Sequence, residues 1–590
     1  MPLDQWAEEN ILLPEDSQVT GPFRCTYFPH SRYIFRKLQD ERNVRQLTLM
    51  CSAQAVIKTT IATVFVLWGV KERPANTAWV LQTEEAVKHF VKARFLPLIE
   101  RQTSLEEYLP STRNDATELY VKFKTMAVTF RGTNSRGGLK SNAFQRVIFD
   151  EADEASPGSL EKIWKRMTSF ANPQLLMLGT PENEGGITFR EYLAGTQTHF
   201  HFACQKCGQR QPIRWGRTST PVFPMPRECG GFVWDTDETT RPGGRWDWNA
   251  LAKTVRYQCE NPACKHEFPQ TELMGLLKDL TPFDNNQLPE KGKVSVWYFV
   301  GYSVLFPWES LVQEWLSAQA ALTKADEEPL KSFVRERLGE PWVENLVEST
   351  EDELRRLCGE YNMGETWPVE KDLRQAITMT IDVQADRLRW LIVQHRHGGA
   401  MRVVDCGWCA DQKEALKIQT RYGVGGNGVW IDAGDGNRSA EIYEWCASSR
   451  WKACKGSAMG SWPHLNQKTG VTVQKPWRMK MISVSAGASE KGELPFFNWS
   501  NPYFKAHVYK FRLKGKGPPL ELPRNIPQDA VEELLNDRYQ KHKKTGKMEW
   551  ISGGNEHLGD CLCMAHAQAD FFGFTGLAAS ALPETETEKE

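Results

Sequence analysis

The sequence predicts an α/β protein of two main domains, with a small cysteine-bearing insert in the first of them. Its 590 residues are too many for a single hydrophobic core. From about 23 to 181, short β-type runs alternate with longer helical ones, which is typical of a parallel sheet. Residues 199–270 are instead enriched in Cys, Gly, Pro and Trp, and strand-like runs begin again after 371.

These changes of texture also predict the domain boundaries. The first domain contains the runs 46–51, 77–82, 126–130, 146–149 and 174–178 as strands, and a helical stretch at 308–338. The second domain opens with two neighbouring strands, 376–383 and 387–394. The predicted divisions are an N-terminal segment (1–22), a first domain (23–345) containing the insert (199–270), a linker (346–371), a second domain (372–576) and a disordered acidic tail (577–590).

Composition excludes several classes of protein. The longest apolar run, 61–70, is about half of what a bilayer span requires, and no signal sequence is visible, so we expect no membrane segment and a cytoplasmic location. Fourteen cysteines in such a chain indicate metal ligands or buried side chains rather than disulfides. The net charge of −1 gives no overall attraction to nucleic acid, so any DNA contact depends on local basic patches.

A candidate phosphate-binding loop follows the first predicted strand. Such a loop needs backbone N–H groups at a helix N-terminus, a lysine for the β- and γ-phosphates and a hydroxyl for Mg²⁺. Lys58 and Thr59 fit the last two requirements, and an apolar helix comes next. Ser52 and Ile57 occupy the positions where the usual pattern has glycine, so an ordinary strand–turn–helix remains an equal interpretation of this loop alone.

Two later strand ends strengthen the nucleotide interpretation. The apolar strand 147–149 runs into Asp150 and Glu151, a pair in which the first carboxylate can hold Mg²⁺ and the second can polarise a water. The strand 175–178 is followed by Thr180, whose hydroxyl can sense the γ-phosphate; the alternative is a simple exit from the strand into a turn.

Two pairs of cysteines predict a metal site in the insert. Cys204 and Cys207 form one pair, and Cys259 and Cys264 form the other. Two short-spaced pairs on tight turns are what tetrahedral Zn²⁺ with four thiolates requires, and such a closed site is structural. The second pair is spaced more widely than is commonest, which leaves His266 as an alternative ligand.

Spaced aspartates predict a second metal site in the C-terminal domain. Asp382 ends one predicted strand, Asp432 ends another, and Asp560 opens a helix-like segment near the C-terminus. Carboxylates delivered by separate elements can hold two Mg²⁺ or Mn²⁺ ions for phosphodiester cleavage. Single aspartates at strand ends are also common as turn formers or helix caps, and that interpretation stays open.

Taken together, these motifs resemble the lambda-like branch of the phage terminase large subunits, in the same order along nearly the whole chain. The resemblance is carried by the segments 50–54 with Lys58 and Thr59, Asp150-Glu151, Gly179-Thr180-Pro181, the cysteine-bearing segment with 211–215, and 338–342. It implies a parallel-sheet P-loop-type ATPase with a zinc-ribbon insert, followed by an RNase H-like nuclease whose metal ligands are Asp382, Asp432 and Asp560. It also implies that Ser52 and Gln54 belong to the ATP-binding loop.

The phosphate loop departs from the pattern of the family. Ile57 stands where the family usually has Gly, and the loop is one residue longer between Gln54 and Lys58. A β-branched residue resists a positive φ, so ATP turnover is weakened or the loop follows another path. The resemblance also implies an arginine finger before the Asp150 strand, for which Arg136 and Lys140 are the candidates; a mobile charged loop is the alternative.

The spacing around Asp560 is a second departure. The family usually has a tighter Asn-x-x-x-Asp spacing, so Gly559 is a candidate insertion. Glu556 or His557 is then a candidate to share the role of Asp560.

Two basic tracts, 510–516 and 538–544, are candidates for tracking a DNA backbone. A solvated charged face is the alternative for each of them.

The function implied by the resemblance is a motor that uses ATP to pump double-stranded DNA into a procapsid and a nuclease that cuts concatemeric DNA at initiation and termination. The implied cofactors are ATP, Mg²⁺ or Mn²⁺, and Zn²⁺. The implied partners are a small terminase subunit, a portal ring and further copies of the chain, in a host cytoplasm.

Two other functions are consistent with parts of the sequence. A helicase or other translocase also carries an Asp-Glu-Ala-Asp motif such as 150–153, but it has a second ATPase-fold domain instead of spaced aspartates. A non-enzymatic DNA-binding protein descended from a motor is supported only by Ile57.

Overall fold

The chain divides into two compact units in the computed structural model. Unit 1 comprises Met1–Gln319 and Glu327–Val343, and unit 2 comprises Ala320–Asp326 and Glu344–Glu590. The structure describes all residues except 16–18, 54–57, 111–114, 135–141, 323–325, 345–346, 371–372, 435–437, 466–471, 487–489, 542–547, 553 and 576–590.

Unit 1 is built on a sheet that has eleven strands in the part of the chain that is described. In spatial order these are Arg210–Pro212, Thr198–Ala203, Lys293–Tyr298, Gln46–Cys51, Gln174–Gly179, Arg146–Phe149, Thr77–Leu81, Ala127–Gly132, Tyr120–Lys122 and Ala116–Thr117, while Thr281–Asp284 pairs with Thr198–Ala203. The strands from Thr198–Ala203 to Ala127–Gly132 in this order are parallel, and those at the two edges are antiparallel. The predicted parallel sheet is therefore confirmed, with antiparallel additions at its edges.

Both faces of this sheet are buried. Ile148 and Leu176 belong to one hydrophobic core, whereas Val147 and Leu175, which point the opposite way along the same strands, belong to another. The helices of unit 1 are Leu3–Asn10, His30–Gln39, Lys58–Glu72, Glu84–Phe90, Leu96–Glu100, Ser159–Met167, Ile187–Ala194, Trp248–Ala252, Leu273–Leu276, most of Trp308–Leu322, and Glu328–Ser332.

The predicted strands of unit 1 lie where the sequence placed them. Gln46–Cys51 and Arg146–Phe149 have the predicted bounds, and the other three differ by two residues or fewer at each end. The predicted helical stretch 308–338 is a helix over Trp308–Leu322, a short helix over Glu328–Ser332 and a π-helical turn over Phe333–Arg337, which ends before Gly339.

The cysteine-bearing region is continuous with the main sheet of unit 1. Its first two strands, Thr198–Ala203 and Arg210–Pro212, belong to that sheet and enclose the first cysteine pair. A small antiparallel sheet of Gly231–Val233, Arg256–Gln258 and Glu267–Phe268 carries the second pair on the connection between its last two strands. The hydrophobic side chains Phe202, Tyr257 and Phe268 join the principal core, so the region does not have a separate core.

Unit 2 has a mixed sheet of eight strands among its described residues. In spatial order these are Trp477–Ala486, Glu490–Ser500, Lys452–Ser457, Val429–Asp432, Gln375–Val383, Leu388–Arg396, Met401–Cys409 and Leu520–Glu521. Leu388–Arg396 is antiparallel to both of its neighbours, Gln375–Val383 and Met401–Cys409, while Val429–Asp432, Lys452–Ser457 and Glu490–Ser500 continue the sheet beside Gln375–Val383 in parallel. This places the ends of the Asp382 and Asp432 strands side by side.

The remaining elements of unit 2 are helices and hairpins. The helices are Glu351–Arg356, Gln412–Arg421, Ser439–Ser449, Asn501–Lys505, Gln528–Leu534 and His557–Phe571, and a π-helical turn Ala506–Phe511 extends Asn501–Lys505. The hairpins are Trp462–Leu465 with Thr472–Lys475 and Asp537–Lys541 with Met548–Ser552. No helix within the described ranges is long and apolar enough to cross a membrane.

The stretch predicted as a linker, 346–371, packs into unit 2. It contains the helix Glu351–Arg356, which begins with a capping box at Thr350. Leu354 is buried in a core of unit 2, and the Tyr361 hydroxyl donates hydrogen bonds to Val403 O at 2.8 Å and Glu521 O at 2.9 Å. By these contacts the stretch is part of the second compact unit; the domain boundaries themselves remain predictions. The predicted disordered tail lies outside the described residues.

Candidate functional site

A polar cavity of ≈ 540 Å³ lies beyond the carboxyl ends of three adjacent parallel strands in unit 1. The strands are Gln46–Cys51, Gln174–Gly179 and Arg146–Phe149, and the chain after each of them contributes a predicted residue to the cavity lining: Lys58, Thr180 and Glu151, respectively. Clefts at this edge are the usual ligand sites of parallel α/β sheets. Thr59 also lines the cavity, at the N-terminus of the helix Lys58–Glu72.

Lys58 is the centre of the polar contacts in this cavity. Its ammonium lies 3.0 Å from Glu151 Oε1 and donates a hydrogen bond to Thr180 Oγ1 at 3.1 Å, while its side chain is buried. Asp150 is buried behind them, and its burial and the nearby Glu151 raise the pKa of its carboxyl to about 7, against the opposing effect of Lys58. A cation beside Asp150 would stabilise its charged form, so the donor set fits a nucleotide-bound magnesium ion.

The backbone at Glu151 is held in an unusual conformation. Its φ of 50° and ψ of 54° lie in the left-handed region, which costs a non-glycine residue roughly 1–2 kcal/mol. The following turn is fixed by Asp153, whose carboxylate accepts hydrogen bonds from the backbone N–H of Glu182 and of Thr188, both at 2.9 Å. Asp153 therefore ties the loop after Glu151 to the loop after Thr180.

The predicted loop residues have different outcomes. Ser52 is buried at the end of its strand, and its hydroxyl has no hydrogen-bond partner among the described residues. Gln54 and Ile57 lie outside the described residues, as do both arginine-finger candidates, Arg136 and Lys140.

Sequence reasoning missed the cavity wall that comes from the end of unit 1. Arg335 and Glu336 line the cavity, and the backbone N–H of Ala53 donates to Glu336 O at 2.7 Å. Gly339 has a φ of +64°, and a Cβ there would lie 2.6 Å from the Ser52 nitrogen. Gly339, the glycine of the 338–342 motif, thus lets two backbone segments touch. That glycine was visible in the sequence and could have indicated the contact. Arg94 also lines the cavity and was not predicted.

The four predicted cysteines converge. The ligand atoms of Cys204, Cys207, Cys259 and Cys264 all lie within 4.8 Å of one another, and no other group of three or more potential ligands in the described part of the chain meets this limit. His266 is not in the cluster; its carbonyl accepts a hydrogen bond from the Cys259 N–H at 2.8 Å instead. Four thiols at this spacing match a closed, tetrahedral metal site.

The three predicted aspartates of unit 2 line one cavity of ≈ 180 Å³. Asp382 and Asp432 come from adjacent parallel strands, and Asp560 comes from the first turn of the helix His557–Phe571. Lys455 and Asn501 line the same cavity and were not predicted. Hard carboxylate oxygens around a small polar cavity suit Mg²⁺ or Mn²⁺, although these oxygens are less tightly clustered than the four sulfur atoms.

Neighbouring side chains hold two of these carboxylates. Asp382 Oδ2 accepts a hydrogen bond from Gln384 Nε2 at 2.6 Å and lies 3.0 Å from His557 Nδ1. Burial raises the pKa of Asp560 to about 7, against the opposing effect of Lys505. His557, one of the two candidates to share the role of Asp560, thus contacts Asp382, while Glu556 immediately precedes the helix.

The basic tract 510–516 is not a free DNA-binding face. Arg512 is buried and donates hydrogen bonds to Gly399 O at 2.8 Å and to two proline carbonyls. Lys514 donates to Glu353 Oε2 at 2.5 Å. Arg512 and Lys514 are thus engaged within the protein, which a run of charges does not reveal, and DNA contact by the remaining basic residues of the tract stays a prediction. In the second tract, Arg538 lies 3.3 Å from Glu348, and 542–544 lie outside the described residues.

Two family models match the chain, one after the other. The first is described as the ATPase domain of phage terminase large subunit gpA and matches residues 17–275; the second is described as the endonuclease domain of the same subunit and matches residues 293–580. Together they cover all but short stretches of the chain. The chain therefore belongs to the gpA family of phage terminase large subunits, and the resemblance seen in the sequence is confirmed.

Individual relatives are distant. The large terminase subunit of Escherichia phage lambda is 24% identical over 417 residues, which are 65% of this chain and 58% of that protein. That of Enterobacteria phage P21 is 22% identical over 378 residues, which are 59% of this chain and 54% of that protein. The chain thus spans little more than half the length of these curated relatives. The crystal structure of the HK97 bacteriophage large terminase aligns at 10% identity with a TM-score of 0.34, covering 96% of this chain and 99% of that one.

An ATPase domain and an endonuclease domain imply a nucleotide and a divalent metal ion as cofactors. All the residues that line the unit 1 cavity except Arg335 and Glu336 lie within the first match, and all those that line the carboxylate cavity lie within the second.

Proposed function

We propose that this chain hydrolyses ATP to move double-stranded DNA into a phage procapsid, and that it cuts concatemeric DNA with a second, metal-dependent site. The observation that carries the proposal is the agreement between cavities and family matches. The lysine, the acids and the threonine hydroxyls that line one cavity lie within the ATPase match, and the three aspartates that line the other cavity lie within the endonuclease match.

In the ATPase site, Lys58 binds the β- and γ-phosphates, Thr59 and Asp150 bind the accompanying Mg²⁺, and Ser52 and Gln54 belong to the loop around the phosphates. Glu151 orients the attacking water and accepts its proton. The contact of 3.0 Å between Lys58 and Glu151 supports these roles, because a phosphate that binds Lys58 would replace Glu151 as its partner and leave Glu151 free to contact the water.

Thr180 couples this site to movement. Its hydroxyl accepts a hydrogen bond from Lys58, so it gains or loses that partner according to whether Lys58 is bound to phosphate. The loop after Thr180 is tied to Asp153 through the Glu182 N–H, so a hydrogen bond can carry the change to the loop after Glu151.

In the nuclease site, Asp382, Asp432 and Asp560 would hold two Mg²⁺ or Mn²⁺ ions, and such ions would supply charge stabilisation for phosphodiester hydrolysis. Gln384 and His557 orient Asp382 from two sides. Lys455, whose ammonium donates to Gly434 O at 3.4 Å, lies at the cavity where it can meet a DNA phosphate. Cys204, Cys207, Cys259 and Cys264 hold a structural Zn²⁺.

The proposed partners follow from the family. They are double-stranded DNA, a small terminase subunit, a portal ring and further copies of this chain, assembled in the host cytoplasm. The relatives from phages lambda and P21, both large terminase subunits, support this proposal.

The test compares DNA cutting and ATP hydrolysis in the purified full chain. Plasmid DNA with Mn²⁺ is incubated with the parent, with Asp382→Ala and with a matched control, Asp386→Ala, which changes an exposed aspartate on the turn after the same strand. We expect the parent and the control to cut and Asp382→Ala not to cut. DNA-stimulated ATP hydrolysis without cutting by any of the three would favour a helicase-like translocase. A parent that neither hydrolyses ATP nor cuts DNA would favour the non-enzymatic alternative.

A further inference from the structure

A buried ion pair lies beside the carboxylate cavity of unit 2. Lys505 Nζ contacts both carboxylate oxygens of Asp537, at 2.7 and 2.8 Å. The side chains are 7% and 0% exposed, respectively, so solvent does not screen the pair. Neither residue lines the cavity, so neither is placed to touch a substrate there.

The same ammonium also lies close to a predicted metal ligand, Asp560. Lys505 Nζ lies 3.5 Å from Asp560 Oδ1, an oxygen that is buried and has no hydrogen-bond partner among the described residues. An ammonium has three donors, and two are already directed at Asp537. The inner oxygen of Asp560 is thus held by charge from behind, while the side chain as a whole lines the cavity in front.

The three residues come from elements that are far apart in sequence. Lys505 ends the helix Asn501–Lys505, Asp537 begins the hairpin strand Asp537–Lys541, and Asp560 lies in the first turn of the last helix. The last helix approaches the others at Gly559, where a Cβ would overlap the Tyr509 hydroxyl and lie 3.6 Å from Asp537 Oδ2. Gly559, considered above as an insertion, is therefore the residue that lets Asp560 reach Lys505.

We propose that Lys505, fixed by Asp537, is a positioning residue that holds Asp560 in the orientation required to bind the catalytic metal ion. The sheet positions the backbones of Asp382 and Asp432, and Gln384 and His557 hold the Asp382 carboxylate, whereas Asp560 projects from a helix and is held by Lys505. The inference rests on the proposed nuclease function and adds two residues that act through a ligand rather than on the DNA. Partners that orient metal ligands typically change metal affinity by about 10- to 100-fold when they are removed.

The experiment measures Mn²⁺ binding directly, by electron paramagnetic resonance titration of the full chain without nucleotide or DNA. The site is identified as the Mn²⁺ bound by the parent and absent from Asp382→Ala. We expect Lys505→Met to weaken binding at this site by about 10- to 100-fold. Lys514→Met, which removes another ion-paired lysine of unit 2 far in sequence from the aspartates, should leave it unchanged.

A second variant separates positioning from folding. Lys505→Met leaves Asp537 buried and unpaired, which can unfold the region, whereas Lys505→Met with Asp537→Asn removes both charges. We expect the double variant to melt near the parent temperature and still to bind Mn²⁺ weakly, and Lys505→Arg to recover part of the affinity.

Two results would overturn the inference while leaving the nuclease proposal intact: unchanged Mn²⁺ affinity in a folded Lys505→Met, or parental affinity in the double variant. If the parent has no Mn²⁺ site that depends on Asp382, the nuclease proposal and the inference both fail.

Discussion

Each of the two cavities of this protein has a buried lysine beside a buried carboxylate. One of these lysines, Lys58, lines its cavity, whereas the other, Lys505, lies behind the cavity wall. Lys58 lines the cavity of unit 1 and pairs with Glu151, which lines it too. Lys505 is absent from the lining of the unit 2 cavity and pairs with Asp537 behind it. A lysine at the wall can exchange its protein partner for a ligand, whereas a lysine behind the wall can act only through the group in front of it.

The carboxylates of the two cavities also differ in what positions them. Burial raises the pKa of Asp150 and of Asp560 to about 7, so a cation bound beside either carboxyl would stabilise its charged form. Asp150 follows directly from a central strand, and its N–H donates to Val80 O at 2.9 Å. Asp560 has no strand to fix it. A sheet therefore fixes the backbone of its acidic residues through hydrogen bonds between strands, whereas the position of Asp560 depends on its helix and on the charge of Lys505.

The largest expected effect comes from Lys58→Ala. Loss of the phosphate-binding charge should lower ATP hydrolysis by at least ~10²-fold, while cutting of plasmid DNA with Mn²⁺ continues, because the two cavities share no lining residue. Phosphate release and plasmid nicking, measured on the same preparation, check this. Loss of nicking in Lys58→Ala would show that the two sites are not separable.

Metal removal sharpens the contrast between an open and a closed site. Brief dialysis against EDTA should abolish cutting reversibly, with Mn²⁺ restoring it, while one zinc ion per chain remains, because four thiolates leave no open coordination position. Elemental analysis after dialysis measures the zinc. Cys204→Ser should lose that zinc and melt at a lower temperature, and a variant that melts like the parent would argue against a structural metal.

Gly559→Ala tests how closely the last helix must approach its neighbours. An added methyl group overlaps the Tyr509 hydroxyl and should lower the free energy of unfolding by about 1–3 kcal/mol. Gly275→Ala, in a helix of unit 1 where a Cβ meets nothing within 4 Å, should be neutral or stabilising by up to ~1 kcal/mol. Urea unfolding of both variants measures the difference. Recovery of stability by adding Tyr509→Phe would confirm the overlap, and equal effects of the two alanines would contradict it.

The smallest effect is expected for Thr180→Val, which removes a neutral partner of Lys58. A hydrogen bond of this kind contributes about 0.5–1.5 kcal/mol, so ATP turnover should fall about 2- to 12-fold. Thr168→Val, at an exposed helix end, is the matched control. If Thr180→Val instead abolished turnover as Lys58→Ala does, the hydroxyl would have a catalytic role rather than a supporting one.

Much of the fold could be predicted because its signals are local. The strands Gln46–Cys51 and Arg146–Phe149 are short apolar runs bounded by polar residues, and a run of this kind is visible without any knowledge of its neighbours. Asp150, Asp382 and Asp432 were predicted as site residues for the same reason, since each directly ends such a run. The four cysteines were found because two short-spaced pairs of cysteines are the usual pattern of a structural zinc site.

The residues that were missed or misassigned depend on distant partners. Arg335 reaches the nucleotide cavity from the far end of unit 1, and Lys505 meets Asp537 across 32 residues. Arg512 belongs to the tract that was a candidate for DNA contact, and it is buried against carbonyls of Pro518 and Gly399. In none of these cases does the spacing of neighbouring residues carry the information.

By itself the sequence determined which side chains are candidates for chemistry: the acids at strand ends, the lysine at the start of a helix and the paired cysteines. Periodicity and turn residues depend on a few neighbouring positions, so they can be recognised in the sequence alone. Only the tertiary structure decided which of these side chains share a cavity and which stand behind it. The order of strands in a sheet and the close approach permitted at Gly339 and Gly559 bring together residues that are far apart in sequence. Such pairings result from packing of the whole unit, and no local pattern specifies them.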